Sequence, residues 1–118
     1  MKQNVIKSKS FEFAVAITKC CRGLIEQQEY VLSKQLLHAG TSICANVREA
    51  TYATTRRDFA HKLSVSLQEC NETMFWLELL RASDYMEEKL FTSLHQNANE
   101  LLKILSSITK TVRENDSK

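Results

Sequence analysis

LLHAGTSICANVREATYATTRRDFAHKLSVSLQECNETMFWLELL, residues 36–80 of a 118-residue chain, decides the fold. Leu36, Gly40, Ile43, Val47, Ala50 and Thr54 repeat at steps of four and three, the stripe an α-helix turns towards one neighbour. The stripe stops at ATTRRD. Thr55 followed three residues later by Asp58 has the form of a capping box, with aspartate in place of glutamate, and opens a second helix. That helix carries its own stripe of Phe59, Leu63, Leu67, Cys70, Met74 and Leu77. Gly40 and Ala50 are small for seam positions, which predicts close approach of a neighbouring helix rather than a hinge.

Outward from this pair the same periodicity continues. Phe13, Ile17, Cys20 or Cys21, and Leu24 predict a helix over about 10–28, and residues 1–9 read as a frayed, basic terminus. Gly23 weakens that helix by about 0.8 to 1 kcal/mol relative to alanine, a cost that close approach of a neighbouring helix would make tolerable. QQEYVLS forms the next connection, with Ser33 as cap for a helix over about 33–54. The third helix covers about 56–82. Asp84 and Glu87 resemble a second capping box, opening a helix over about 84–113. Phe91, Leu94, Ala98, Leu101, Leu105, Ile108 and Val112 form its seam, and the tail RENDSK reads as frayed. Four amphipathic helices with short connections give an all-α, antiparallel up-down-up-down four-helix bundle, one domain over 1–118.

Composition agrees with that reading. There is no proline and there are only two glycines, which leaves a β-sandwich or a doubly wound fold without its turn residues. Apolar residues at 43% and charged residues at 25% are globular values. The net charge of +2 names no partner by itself, but residues 1–62 hold ten Lys/Arg against five Asp/Glu and residues 63–118 hold six against nine. In a bundle this asymmetry can mean complementary faces lying side by side. No run of 18 apolar residues and no signal-peptide core occurs, so the expectation is a cytoplasmic protein outside the membrane. Cys20, Cys21, Cys44 and Cys70 lack metal-ligand spacing and are expected as free, buried thiols.

Chemistry is sparse. A di-iron bundle needs Glu-x-x-His pairs on two helices, and none is present. His38, His61 and His95 fall on three helices, so no metal or other cofactor is expected. Neither a nucleophile elbow nor a phosphate-cradling glycine loop occurs, and the expectation is a protein that is not an enzyme.

Three features remain. Arg48, Arg56, Arg57, His61 and Lys62 cluster about the central turn. Two arginines at a helix start oppose the helix dipole, so they face either water or phosphates, which makes RNA or DNA a candidate partner. Val65, Glu69, Glu72, Trp76 and Leu79 run along the third helix away from its core stripe. Either another helix of the same chain covers these apolar groups, or a second subunit does. Ser42, Asn46 and Glu49 form a polar stripe that is either a solvated flank or a hydrogen-bond ladder across an interface.

The runs SICANVREA (42–50) and RRDFAHKLSVSLQECNETMFWLELL (56–80) resemble the four-helix bundle proteins, also called large-subunit rRNA intervening-sequence proteins, over about residues 10–112. The matching positions are Ser42, Asn46, Glu49, Phe59, Leu63, Glu69 and Glu72. Arg48, Cys44 and Cys70 depart from the small or apolar residues expected there. The resemblance implies a bundle that assembles with itself, as a homopentameric ring, and has no settled activity. A distantly related branch, the accessory protein of diversity-generating retroelements, binds a reverse transcriptase and nucleic acid through a strongly basic surface; the near-neutral charge here departs from it. The reading that results is a non-enzymatic, self-associating accessory or scaffold with structured nucleic acid as ligand. The alternative is a scaffold that binds only protein.

Overall fold

The computed structural model describes residues 2–116, with side chains from Val5 to Asn115. Four helices follow one another: α1 (Lys2–Glu26), α2 (Val31–Thr51), α3 (Arg56–Ala82) and α4 (Glu88–Asp116). Each packs on its neighbour in the chain, α1 closes against α4, and the diagonal backbones stay apart. The bundle is antiparallel and measures 51 × 21 × 20 Å. No strand occurs among the described residues.

The seams read from the sequence form the core. Ile17, Leu36, Ile43, Leu77 and Leu105 are fully excluded from solvent, and Leu94, Ala98, Leu101 and Ile108 line α4 as its heptads require. Gly40 is a site of close approach: a Cβ placed there would lie 2.8 Å from Ile17 Cγ2 and 3.0 Å from Ile17 Cγ1. Gly23 is different. A Cβ there would meet nothing within 4 Å, so no close neighbour compensates and the glycine only weakens α1.

α3 departs from its expected stripe. Its buried line is Leu63, Ser66, Cys70, Thr73, Leu77 and Leu80, while Phe59, Leu67 and Met74 are only partly covered. Three small polar groups thus sit at the centre of the bundle, each satisfied by a carbonyl. Ser66 Oγ donates to Ile43 O at 2.8 Å and the Cys70 thiol to Ala98 O at 3.1 Å, across to α2 and α4, while Thr73 Oγ1 donates to Glu69 O at 2.7 Å within α3. Small side chains let the helices approach, and the hydrogen bonds remove the cost of burying them.

The helix ends need several corrections. The stretch expected to fray, 1–9, is helical from Lys2, because Ile6 and Ser10 continue the seam below Phe13 and both are buried. α2 ends at Thr51, so Thr54 is not part of the seam. Ser33 lies inside α2, and the Glu29 carboxylate instead accepts the Leu32 N–H. Thr55 does cap α3, its hydroxyl accepting from Asp58 N at 3.0 Å. Asp84 does not open α4. It stands at φ 65° and closes α3, with Tyr85 N donating to Leu80 O and Asp84 N to Arg81 O, the Schellman pattern. Gln28, also at φ 65°, closes α1 in the same way. α4 then starts at Glu88 and runs past the expected end to Asp116.

Candidate functional site

Antiparallel packing places the start of α1, the end of α2, the start of α3 and the end of α4 at one pole of the bundle. Residues 5–13, 42–68 and 102–115, which build that half, hold nine Lys/Arg and four Asp/Glu; residues 14–41 and 69–101, which build the other, hold five and nine. Part of the charge asymmetry lies side by side, α1 and α2 being net positive and α3 and α4 balanced, but the larger part does not. It separates along the long axis, into a basic pole and an acidic pole.

The five basic residues expected around the turn all stand at the basic pole, but they surround it rather than form one cluster. Arg48 is exposed on the α1 side of α2, its guanidinium carbon 5.3 Å from the centre of the Phe11 ring, a cation–π contact. Lys62 lies on the other flank of α2 and pairs with Glu49, Nζ to Oε1 at 3.4 Å. Arg56, Arg57 and His61 are exposed at the start of α3, where the Thr55 cap and Asp58 offset the dipole that two arginines oppose. Arg57 and His61 also line a cleft of about 450 Å³ with Ser64, Thr109 and Arg113. Arg113 joins this cleft although its place at the head of the polar tail RENDSK does not mark it as part of the basic group. The signal was the α4 heptad itself, whose continuation through Val112 carries Arg113 back to the turn.

The second face is the outer flank of α2 and α3. Val65, Glu69, Glu72, Trp76 and Leu79 share one edge of α3, and all but the exposed Glu72 are half-buried. Trp76 packs partly against the core, meets Phe75 edge-on at 4.9 Å and donates its indole N–H to Glu72 Oε1 at 3.3 Å. The chain itself thus covers part of the indole, while Phe75 beside it is 54% exposed. Glu69 Oε2 is shielded from solvent and has no hydrogen-bond partner. Burial first, then the Glu72 carboxylate, push the Glu69 pKa above its ordinary value, and His38 opposes them. Ser42 and Asn46 border this face, but their hydrogen bonds run back along their own helix, to His38 O at 2.6 Å and Ser42 O at 2.8 Å. The polar ladder is intrahelical within the subunit, and Glu49 leaves it to pair with Lys62.

Among the described residues no three His, Cys, Asp or Glu side chains gather as a metal site, and no helix is long and apolar enough to cross a membrane. His95 pairs with Glu78 across α3 and α4 at 2.9 Å. All four cysteines are free and buried, and burial raises the Cys21 and Cys70 thiols to about 12.

The family model described as 23S rRNA-intervening sequence protein matches residues 2–107. Among solved structures, a Bacteroides thetaiotaomicron protein of unknown function from the S23 ribosomal protein family is 49% identical, with a TM-score of 0.92 over 93% of this chain and 99% of that one. Among curated proteins none matches.

Proposed function

We propose a function from one premise: the chain belongs to the 23S rRNA-intervening sequence protein family. On that premise it is a non-enzymatic, self-associating four-helix bundle of the cytoplasm that serves as a nucleic-acid-binding accessory or scaffold. The observation that carries the reading is the basic pole. Arg48, Arg56, Arg57, His61 and Lys62 surround it, Arg113 joins them from α4, and nine Lys/Arg face four Asp/Glu in that half of the bundle. Polyanions are drawn to such a pole and repelled from the other, so a bound strand has one preferred orientation on the subunit.

Self-association uses the flank of Val65, Glu69, Glu72, Trp76 and Leu79, where half-buried apolar groups and an unpartnered carboxylate oxygen gain most from a second copy. In a closed ring, with the homopentamer as the expected assembly, the basic poles repeat along one rim and their fields add. The same unpartnered oxygen also favours a second reading, a scaffold that binds protein alone.

Salt separates the two. Binding to RNA or DNA through phosphate contacts weakens steeply as salt rises, and Arg56→Ala with Arg57→Ala reduces the slope of log affinity on log salt by about 1 to 2. Absence of binding at low salt, or a slope unmoved by the double substitution, defeats the nucleic-acid reading and leaves the protein scaffold. Light scattering gives the mass of the assembly, and a single-chain mass defeats self-association.

A further inference from the structure

Two aromatic side chains stand in solvent at the basic pole, where the bundle makes no use of them for its core. Tyr52, which caps the end of α2, is 83% exposed, and Phe11 on α1 is 50% exposed. Arg48 links them. It lies one helical turn before Tyr52, and its guanidinium rests over the Phe11 ring. The grouping is therefore aromatic, guanidinium, aromatic, with Arg56 and Arg57 following Tyr52 across the turn. Arg57 in turn lines the cleft with His61 and Arg113 between α3 and α4, around the end of the bundle from Phe11.

That combination discriminates among nucleic acids. In a duplex each base is already stacked and paired, so surface aromatics reach few base faces and the protein is left with backbone contacts. In an unpaired strand every base presents a π-face, and rings interleaved with cations take bases and phosphates in turn. An arginine plane held against a ring is a further surface on which a base can stack.

We propose that the basic pole takes an unpaired nucleic-acid strand, with bases stacking on Tyr52, Phe11 and the Arg48 guanidinium and phosphates running towards Arg56, Arg57 and the cleft. The inference rests on the nucleic-acid reading above and narrows its ligand from structured nucleic acid to single strand.

The test uses the full chain and fluorescence anisotropy with labelled oligouridylate and oligothymidylate, beside RNA and DNA duplexes of equal length, at low salt. Wild type is compared with Tyr52→Ala, Tyr52→Phe and Phe11→Ala, and circular dichroism confirms that each variant is folded. The expected result is tighter binding of single strands than of duplexes. Each alanine variant weakens single-strand binding by about 5-fold or more, while the salt slope holds, because stacking releases no counterions. Tyr52→Phe keeps the wild-type affinity. Duplexes bound as tightly as single strands overturn the inference. So do alanine variants that bind like wild type while Arg56→Glu with Arg57→Glu abolishes binding; in both cases the broader nucleic-acid reading survives. No binding to any of the four probes overturns both.

Discussion

The two glycines of this chain should respond in opposite directions to the same substitution. In α1, Gly23→Ala adds a methyl group to open space, so only helix propensity changes and the variant gains about 0.8 to 1 kcal/mol. In α2, Gly40→Ala gains the same propensity but sets its methyl 2.8 Å from Ile17 Cγ2 and 3.0 Å from Cγ1. Carbon atoms settle at about 3.5 to 4.0 Å, so α1 and α2 must part by roughly 0.7 to 1.2 Å or Ile17 must leave its rotamer. Overpacking of that kind costs about 1 to 3 kcal/mol, and the net effect is a loss of about 0 to 2 kcal/mol. The variants should then differ by about 1 to 3 kcal/mol, a separation of urea midpoints of order 1 M for a chain of this size. Protein concentration is held fixed in the assay, since association would add to the apparent stability. Ile17→Ala supplies the control: it deletes both γ-carbons and the δ-carbon at a cost of about 2 to 5 kcal/mol and leaves only the Cβ, 3.2 Å from the added methyl, so in that background Gly40→Ala should cost less than in the wild type. If Gly40→Ala stabilises the otherwise wild-type protein as much as Gly23→Ala does, the close approach of α1 to α2 is wrong.

Glu69→Gln should stabilise the fold at neutral pH, by up to about 1 kcal/mol in urea unfolding, because the amide removes the negative charge that burial and the Glu72 carboxylate disfavour, although the shielded position still lacks a partner. The folded state holds this pKa above its ordinary value, so the wild-type penalty is full above the folded pKa and fades as pH falls through the carboxylate range. A gap between variant and wild type that widens towards acid would show that the shift has the other sign. Thr55→Ala removes the hydroxyl that accepts from Asp58 N and should cost about 1 kcal/mol, read from urea unfolding; a cost below about 0.3 kcal/mol would mean that the first turn of α3 does not depend on its cap.

Local features of this fold were legible in the sequence, and features set by distant neighbours were not. The α4 seam could be read residue by residue because every member is apolar. The Thr55 cap could be read because donor and acceptor lie three positions apart. By contrast, Ser10, Ser66 and Thr73 occupy seam positions as polar residues, which hid the N-terminal turns of α1 and moved the expected stripe of α3 sideways. Only the carbonyl of Ile43, on another helix, explains why Ser66 is tolerated there. The ends of α1 and α3 fall within two residues of the expected 28 and 82, but the closing residues Gln28 and Asp84 carried no signal: a left-handed residue at a helix end is usually glycine, and neither of these is. At the basic pole the turn arginines were visible as a cluster. Arg113 and Phe11 come to the same end only once the helices have folded back on one another.

The raised thiols of Cys21 and Cys70 have a practical outcome. Each donates its S–H to a carbonyl of the adjoining helix, Ser33 O and Ala98 O, and each titrates near 12, so neither carries appreciable nucleophilic thiolate at neutral pH. An alkylating reagent can therefore reach them only during moments when α1 has lifted from α2, or α3 from α4. The rates at which the two sulfurs are labelled would clock those separations one seam at a time, with no probe added to the molecule.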